Sequence, residues 1–275
     1  MKIQNVLIYL ALVFMLCACE KAFDWQYNEQ TALIPVVEGI ITNENVKQIV
    51  VLSYVRSQPN APAIPVTSAS VNVNLAGNTF AFAQDTTNPG TYISEQAFIG
   101  VVDAPVTLNA FIDGVRYTAT DNMIPVSNTQ RANFKLVDTN DSLYEIVSPA
   151  STFYSTEPAM WVLDIDWSSL PACNDSTGAS CKAKVFYYDL KTLDVSEVFA
   201  PDKQTLRFPK GASVLQTKYS LSPEHAEFRR SLLLETVWRG GLFDVSPGTV
   251  YTNVSGGALG FFGASSVVKR TYTVQ

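Results

Sequence analysis

The chain has 275 residues, a formal net charge of −6 and 47% hydrophobic residues, which suits one large β domain or two smaller ones. The acidic balance argues against binding of nucleic acid or anionic lipid by counterion release. Strand-forming valine, threonine, tyrosine and phenylalanine are frequent, and long Ala/Glu/Lys/Leu periods are missing, so the composition predicts a mainly β protein.

The N-terminal residues have the features of a bacterial lipoprotein signal. Lys2 supplies a positive charge, and the apolar segment from Val6 to Leu16 is too short to span a bilayer. Leu16 and Ala18 occupy the −3 and −1 positions before Cys19, as in a lipobox. We expect removal of residues 1–18 and acylation of Cys19, which would anchor the protein to a membrane. The alternative is ordinary secretion with an incidental cysteine at this position.

Residues 19–31 are polar and irregular, which predicts a tether between the membrane and a folded domain. Short alternating strands follow over residues 32–126. Asp113-Gly114 is the strongest hairpin signal, and Gly77-Asn78 predicts a second hairpin. This spacing predicts an N-terminal β-sandwich of immunoglobulin-like or transthyretin-like type. Its predicted strands are 33–42, 48–55, 69–75, 79–84, 91–94, 106–112 and 115–119.

Residues 127–275 predict a second, β-rich domain with one α-helix at about 222–239. The boundary is expected near Pro125 to Gln130, where turn residues interrupt two sets of strands. The helix should begin at the N-cap Ser222 and end before Gly240-Gly241. Its buried stripe is predicted to be Phe228, Leu232, Leu233 and Val237. The predicted strands are 143–147, 160–167, 182–189 and 217–221, with further β structure in 257–274.

Cys173 and Cys181 remain as a pair in the mature chain, and they enclose a loop of polar and small residues. An exported protein matures in an oxidising compartment, so the pair predicts a disulfide. A zinc site is the alternative. It would need further ligands, and the chain has a single histidine far from this loop.

Catalytic residues are hard to find in this sequence. His225 has no G-x-S-x-G nucleophile motif to act with, which disfavours a serine hydrolase. Asp164 and Asp166 lie on the same face of a predicted strand and could act as paired carboxylates. Glycosidase carboxylates normally come from separate elements, so a solvated strand face is the favoured interpretation.

Two further sets of residues are candidates for binding sites. The run Asp138, Asn140 and Asp141 hints at calcium but lacks the glycine and the terminal glutamate of an EF-hand loop, so a surface turn is expected. Exposed tryptophans could stack on sugars. Three of the four tryptophans are expected to pack in the core: Trp161, Trp167 and Trp238. Only Trp25, in the tether, should be exposed.

Several motifs resemble one family of lipoproteins, the domain of unknown function 4249. Val36 to Thr42 resembles the opening strand of this family. Leu221 to Glu224, Gly240 to Asp244 and Leu259 to Val267 resemble its closing helix, turn and strand, in the same order. The resemblance covers nearly the whole mature chain.

The resemblance implies an outer-membrane lipoprotein of Bacteroidota, of a kind commonly encoded beside TonB-dependent transporters and without assigned catalytic residues. We therefore expect a non-catalytic, lipid-anchored accessory or partner of such a transporter, with no cofactor or metal. A surface glycan-binding lipoprotein is the alternative. An enzyme is disfavoured, because the sequence assembles no nucleophile, metal cluster or acid pair.

Overall fold

A computed structural model describes most of the chain after the predicted tether. The protein is mainly β, with several sheets and one α-helix in the described residues, as the composition predicts. Residues 33–275 form one compact unit by their contacts. The described residues are 33–56, 58, 61–138, 142–148, 157–174, 177, 179–190, 205–239 and 248–275.

The strands and the helix are labelled in chain order. The first eight strands are β1 (Pro35–Thr42), β2 (Ile49–Tyr54), β3 (Ile64–Pro65), β4 (Ala69–Leu75), β5 (Asn78–Gln84), β6 (Thr91–Ser94), β7 (Pro105–Ile112) and β8 (Val115–Asn122). The next six are β9 (Asn133–Asp138), β10 (Leu143–Ser148), β11 (Ala159–Asp166), β12 (Lys182–Asp189), β13 (Phe208–Pro209) and β14 (Ser213–Ser220). The helix α1 (Pro223–Thr236) and the strands β15 (Leu259–Ser265) and β16 (Val267–Thr273) complete the set.

The first sheet has nine strands in the order β15-β1-β2-β6-β5-β4-β7-β8, with β3 paired to β2. Its alternating apolar residues, such as Val71, Val73 and Leu108, face one core. The outermost strand β15 comes from the far end of the chain and pairs in parallel with β1, placing Gly260 opposite Val37. The predicted sandwich over residues 32–126 therefore shares its sheet with a strand from the C-terminal part.

The two predicted hairpins have different outcomes. Asp113 and Gly114 form the turn between β7 and β8 with positive φ angles, as predicted. The other prediction was wrong by one residue, because Ala76 and Gly77 form the turn and Asn78 pairs with Leu75. In this register Phe82 pairs with Val71, and both side chains face the core.

Two smaller sheets pack together around a second core. One has the order β13-β10-β9 and the other the order β12-β11-β14-β16. Trp161, Leu163 and Ile165 of β11 face this core, as the alternation in the sequence predicts, and Phe208 of β13 packs beside them. The opposite face of β11 carries Met160 and Val162, which are buried in a third cluster with Leu221, and then Asp164 and Asp166.

The segment joining β8 to β9 is bound along β14 by alternate side chains of that strand. Ser220 Oγ donates to the carbonyl oxygen of Ile124 at 2.8 Å. Lys218 Nζ donates to Ser127 Oγ at 2.7 Å, and Gln216 Nε2 donates to the carbonyl oxygen of Gln130 at 2.8 Å. The predicted boundary near Pro125 to Gln130 thus falls in a segment held by buried polar groups. Independent folding of the two parts stays a prediction.

The helix begins as predicted, and its buried face matches the predicted stripe only in part. Ser222 caps it, accepting a hydrogen bond from the backbone N–H of His225 at 3.0 Å. Of the predicted stripe, Leu233 is buried, Phe228 and Leu232 are half-buried, and Val237 is exposed. His225 and Ala226 are buried in addition. The predicted stripe contained only apolar side chains, so it did not include His225, which is fully buried.

Candidate functional site

The structure describes two of the cysteines singled out in the sequence, Cys173 and Cys181, but not Cys19. Cys19 and the tether lie outside the described residues, so acylation stays a prediction. Cys173 and Cys181 form a disulfide with their Cα atoms 5.8 Å apart. A thiol in a disulfide cannot ligate zinc as a thiolate, and no group of three or more potential metal-ligating side chains is present in the described residues.

Asp164 and Asp166 each form an ion pair with a lysine directly opposite on β12. Asp164 Oδ1 lies 3.2 Å from Lys184 Nζ, and Asp166 Oδ2 lies 3.3 Å from Lys182 Nζ. All four side chains are well exposed, which agrees with a solvated strand face. In the run considered for calcium, Asp138 ends β9, while residues 140 and 141 lie outside the described part.

The tryptophans in the described residues pack inward. Trp161 and Trp238 are buried, and Trp167 packs against the second core while partly exposed. Trp161 Nε1 donates to Thr129 Oγ1 at 3.1 Å, which anchors the segment bound along β14. Trp25 lies outside the described residues.

Side chains bridge the seam between β8 and β15, the two end strands of the first sheet. Asn253 accepts from the backbone N–H of Phe262 at 3.1 Å, and its Nδ2 donates to the carbonyl oxygens of Thr120 and Phe262 at 3.2 and 2.8 Å. Asp121 Oδ2 accepts from the backbone N–H of Ala264 at 2.8 Å. These side chains replace the strand-to-strand backbone hydrogen bonds at this position.

Asp121 is a buried carboxyl that joins the seam to the helix. Burial raises its pKa, while hydrogen bonds from the Ser222 hydroxyl and from the backbone N–H groups of Ala264 and Asn122 lower it. Ser222 also caps the helix. Sequence reasoning missed this residue. The signal in the sequence was the alternation of side chains along the strand, because Asp121 lies on the same inward face of β8 as Tyr117 and Ala119.

His225 is buried beneath Phe261, with ring centroids 4.8 Å apart. Its Nε2 accepts from Arg229 Nε at 3.2 Å. Ser222 contacts the backbone N–H of His225 and not its imidazole. Serine, histidine and aspartate therefore meet here without the hydrogen bond between hydroxyl and imidazole that activates a serine nucleophile.

Acidification below pH 6.5 is expected to destabilise the protein through His225. Burial, reinforced by the Arg229 charge, holds the pKa of His225 well below its ordinary value of 6.5, which the unfolded chain recovers. Between these two values the unfolded state binds more protons, so the free energy of unfolding should fall as the pH falls, on the order of 1 kcal/mol per pH unit. Urea unfolding of the wild type and His225→Gln from pH 7 to 5 measures this loss.

The two proteins share every other titrating group, including Asp121, so their difference isolates the imidazole, which belongs to the only histidine in the chain. The stability advantage of the wild type should shrink as the pH falls. Parallel curves would contradict the assignment.

Four exposed apolar side chains lie on two neighbouring loops at one end of the first sheet. We call them the apolar loop pair. Their exposed fractions range from 37 to 51%. The loops are joined by a bridge between Val46 and Phe98. The apolar loop pair consists of Val46, Ile99, Val101 and Val102.

Buried Gln48 holds these loops together. Its Nε2 donates to the carbonyl oxygens of Thr42, Glu44 and Phe98, at 3.2 to 3.3 Å. Gly100 lets the second loop pack closely, since a Cβ there would lie 2.8 Å from the carbonyl oxygen of Thr42. An ordered backbone that presents exposed apolar side chains is typical of an interaction surface. Sequence reasoning missed it, and the run Ile99 to Val102 was the available signal.

Comparison with known protein families identifies the family of this chain. No helix in the described part has the length and apolar character needed to cross a bilayer. A comparison with curated proteins finds no match. A family model described as a domain of unknown function, DUF4249, matches residues 20–271. The match covers most of the chain and agrees with the resemblance of its motifs, so the chain belongs to the DUF4249 family.

Proposed function

We propose that the protein is a non-catalytic outer-membrane lipoprotein that binds a TonB-dependent transporter through the apolar loop pair. The observation that carries the proposal is the ordered presentation of four exposed apolar side chains by loops that Gln48 fixes. Binding to a preordered surface avoids the entropic cost of ordering loops. The transporter is suggested by the family resemblance.

Two further observations support this proposal. The lipobox ending at Cys19 would place the protein at a membrane, and residues 20–31 would let the folded part reach a neighbouring protein. The two candidates for catalysis make other contacts, since His225 is buried under Phe261 and Asp164 forms an ion pair with Lys184.

The proposal predicts that charge on the loop pair abolishes transporter binding. The wild-type lipoprotein should co-purify from solubilised outer membrane with the β-barrel transporter encoded beside it. The double variant Val101→Glu, Val102→Glu should reduce this by at least tenfold, because each carboxylate would have to be desolvated at the interface. Val147→Glu is the matched control, since Val147 is 58% exposed on β10.

The anchor is tested in the same cells. Cys19→Ser should move the protein to the soluble fraction. The double loop variant and the Val147→Glu control should both remain membrane-bound. Equal co-purification of the loop and control variants would exclude the loop pair as the binding surface. Absence of any β-barrel with the wild type, together with unchanged uptake after gene deletion, would overturn the function.

A further inference from the structure

The outward face of β4, β7 and β8 forms a regular polar grid. The strand registers align three rows of three side chains, one from each strand. Seven of the nine carry hydroxyl or amide groups. We call this grid the polar sheet face, and its rows are Ser70, Phe111, Arg116; Asn72, Asn109, Thr118; and Asn74, Thr107, Thr120.

Three asparagines on this face are unexpected, because asparagine is depleted in strands. Asn109 lies at the centre and is only 4% exposed. Its Nδ2 donates to Asn72 Oδ1 at 3.1 Å, and its Oδ1 accepts from Arg116 Nη2 at 2.6 Å. Along the same face the hydroxyls of Thr107 and Thr120 are 2.9 Å apart. The polar groups are therefore held in fixed positions.

Arg116 is the one charged member of the polar sheet face. Its guanidinium carbon lies 5.9 Å from the ring centroid of Phe111, which is 43% exposed. The amide of Asn109 orients the guanidinium without neutralising it. A guanidinium held in this way keeps donors for a carboxylate, which it binds in bidentate geometry. The face thus combines a fixed cation, an exposed ring and an array of hydroxyls and amides.

We propose that the polar sheet face binds an acidic polysaccharide. Arg116 would bind a uronate carboxylate, Phe111 would pack against the apolar face of a sugar ring, and the exposed side chains of Ser70, Asn74 and Thr120 would exchange hydrogen bonds with sugar hydroxyls. A protein partner is less well matched, because eight of the nine residues are polar. The net charge of −6 disfavours unspecific capture of polyanions, so binding depends on this local site.

Affinity gel electrophoresis of the detergent-solubilised lipoprotein tests the proposal, with polygalacturonate and alginate as acidic probes and dextran as the neutral one. The acidic probes should retard the wild type and dextran should not. Arg116→Gln and Phe111→Ala should each weaken retardation at least tenfold. Arg131→Gln is the matched control, because Arg131 is also exposed and its guanidinium carbon lies 5.4 Å from the Tyr272 ring centroid.

Four outcomes of these experiments distinguish polysaccharide binding from the alternatives. Failure of both acidic probes to retard the wild type would overturn the proposal, as would equal losses for Arg116→Gln and Arg131→Gln. Retention of saccharide binding by Arg116→Gln with loss of transporter co-purification would make this face a protein docking surface instead. The double variant Val101→Glu, Val102→Glu should bind the acidic probes normally, so the two proposals can fail separately. Melting curves of each variant identify losses that come from misfolding.

Discussion

Replacing Gly260 with alanine should destabilise the protein by roughly 3 kcal/mol or more, if it folds at all. Gly260 has a φ of +87°, a backbone conformation that side chains with a Cβ rarely adopt. A Cβ at this position would overlap the carbonyl oxygen of Val37 and lie 2.9 Å from its carbonyl carbon. Both obstacles are backbone atoms of β1, so relief requires separation of the parallel pair between β1 and β15.

Gly257→Ala provides the control for this prediction. Gly257 has a φ of +79°, but a Cβ there would meet no atom within 4 Å. Alanine should therefore incur only the backbone penalty, roughly 1–2 kcal/mol. Urea unfolding of both variants measures the difference, and equal losses would show that crowding against Val37 contributes nothing.

Replacing Gln216 with leucine should reduce the free energy of unfolding by about 3 kcal/mol. Gln216 is fully buried, and its Oε1 accepts from the backbone N–H of Ala132 at 3.0 Å and from Tyr272 Oη at 2.7 Å. Its Nε2 donates to Thr129 Oγ1 at 2.9 Å as well as to the carbonyl oxygen of Gln130. Leucine has a similar volume, so the loss comes from buried polar groups left without partners.

Ser213→Ala is the control for this variant, since Ser213 is exposed on the same strand, and its effect should stay within about 0.5 kcal/mol. Chemical unfolding of both proteins checks the prediction. A loss below about 1 kcal/mol for Gln216→Leu would mean that the segment joining β8 to β9 is held by other contacts.

Local patterns in the sequence predicted much of the local structure. The hairpin at Asp113-Gly114 and the helix start at Ser222 both depend on signals within a few residues. The alternation of β11 also predicted which side Trp161 faces. Such features follow from backbone propensities and periodicity, which act over short distances along the chain.

Contacts between distant parts of the chain could not be predicted in the same way. Nothing near Leu259 indicates that β15 pairs with β1, because the two strands are more than 200 residues apart in the sequence. Gln48 and Gln216 look like surface residues in the sequence, and only the fold reveals the backbone groups that they satisfy. Family resemblance identified the membership but assigned no role to these residues.

The pairing of β1 with β15 also sets an order of events during biosynthesis. The ribosome synthesises β1 about 220 residues before its parallel neighbour β15. The nascent protein therefore carries an unpaired strand edge until residues 259–265 emerge from the ribosome. An exposed edge can pair with other chains, and sheets closed by distant segments form slowly. Truncation anywhere before Leu259 would make this exposure permanent, leaving an aggregation-prone product even when all strands from β1 to β8 are intact.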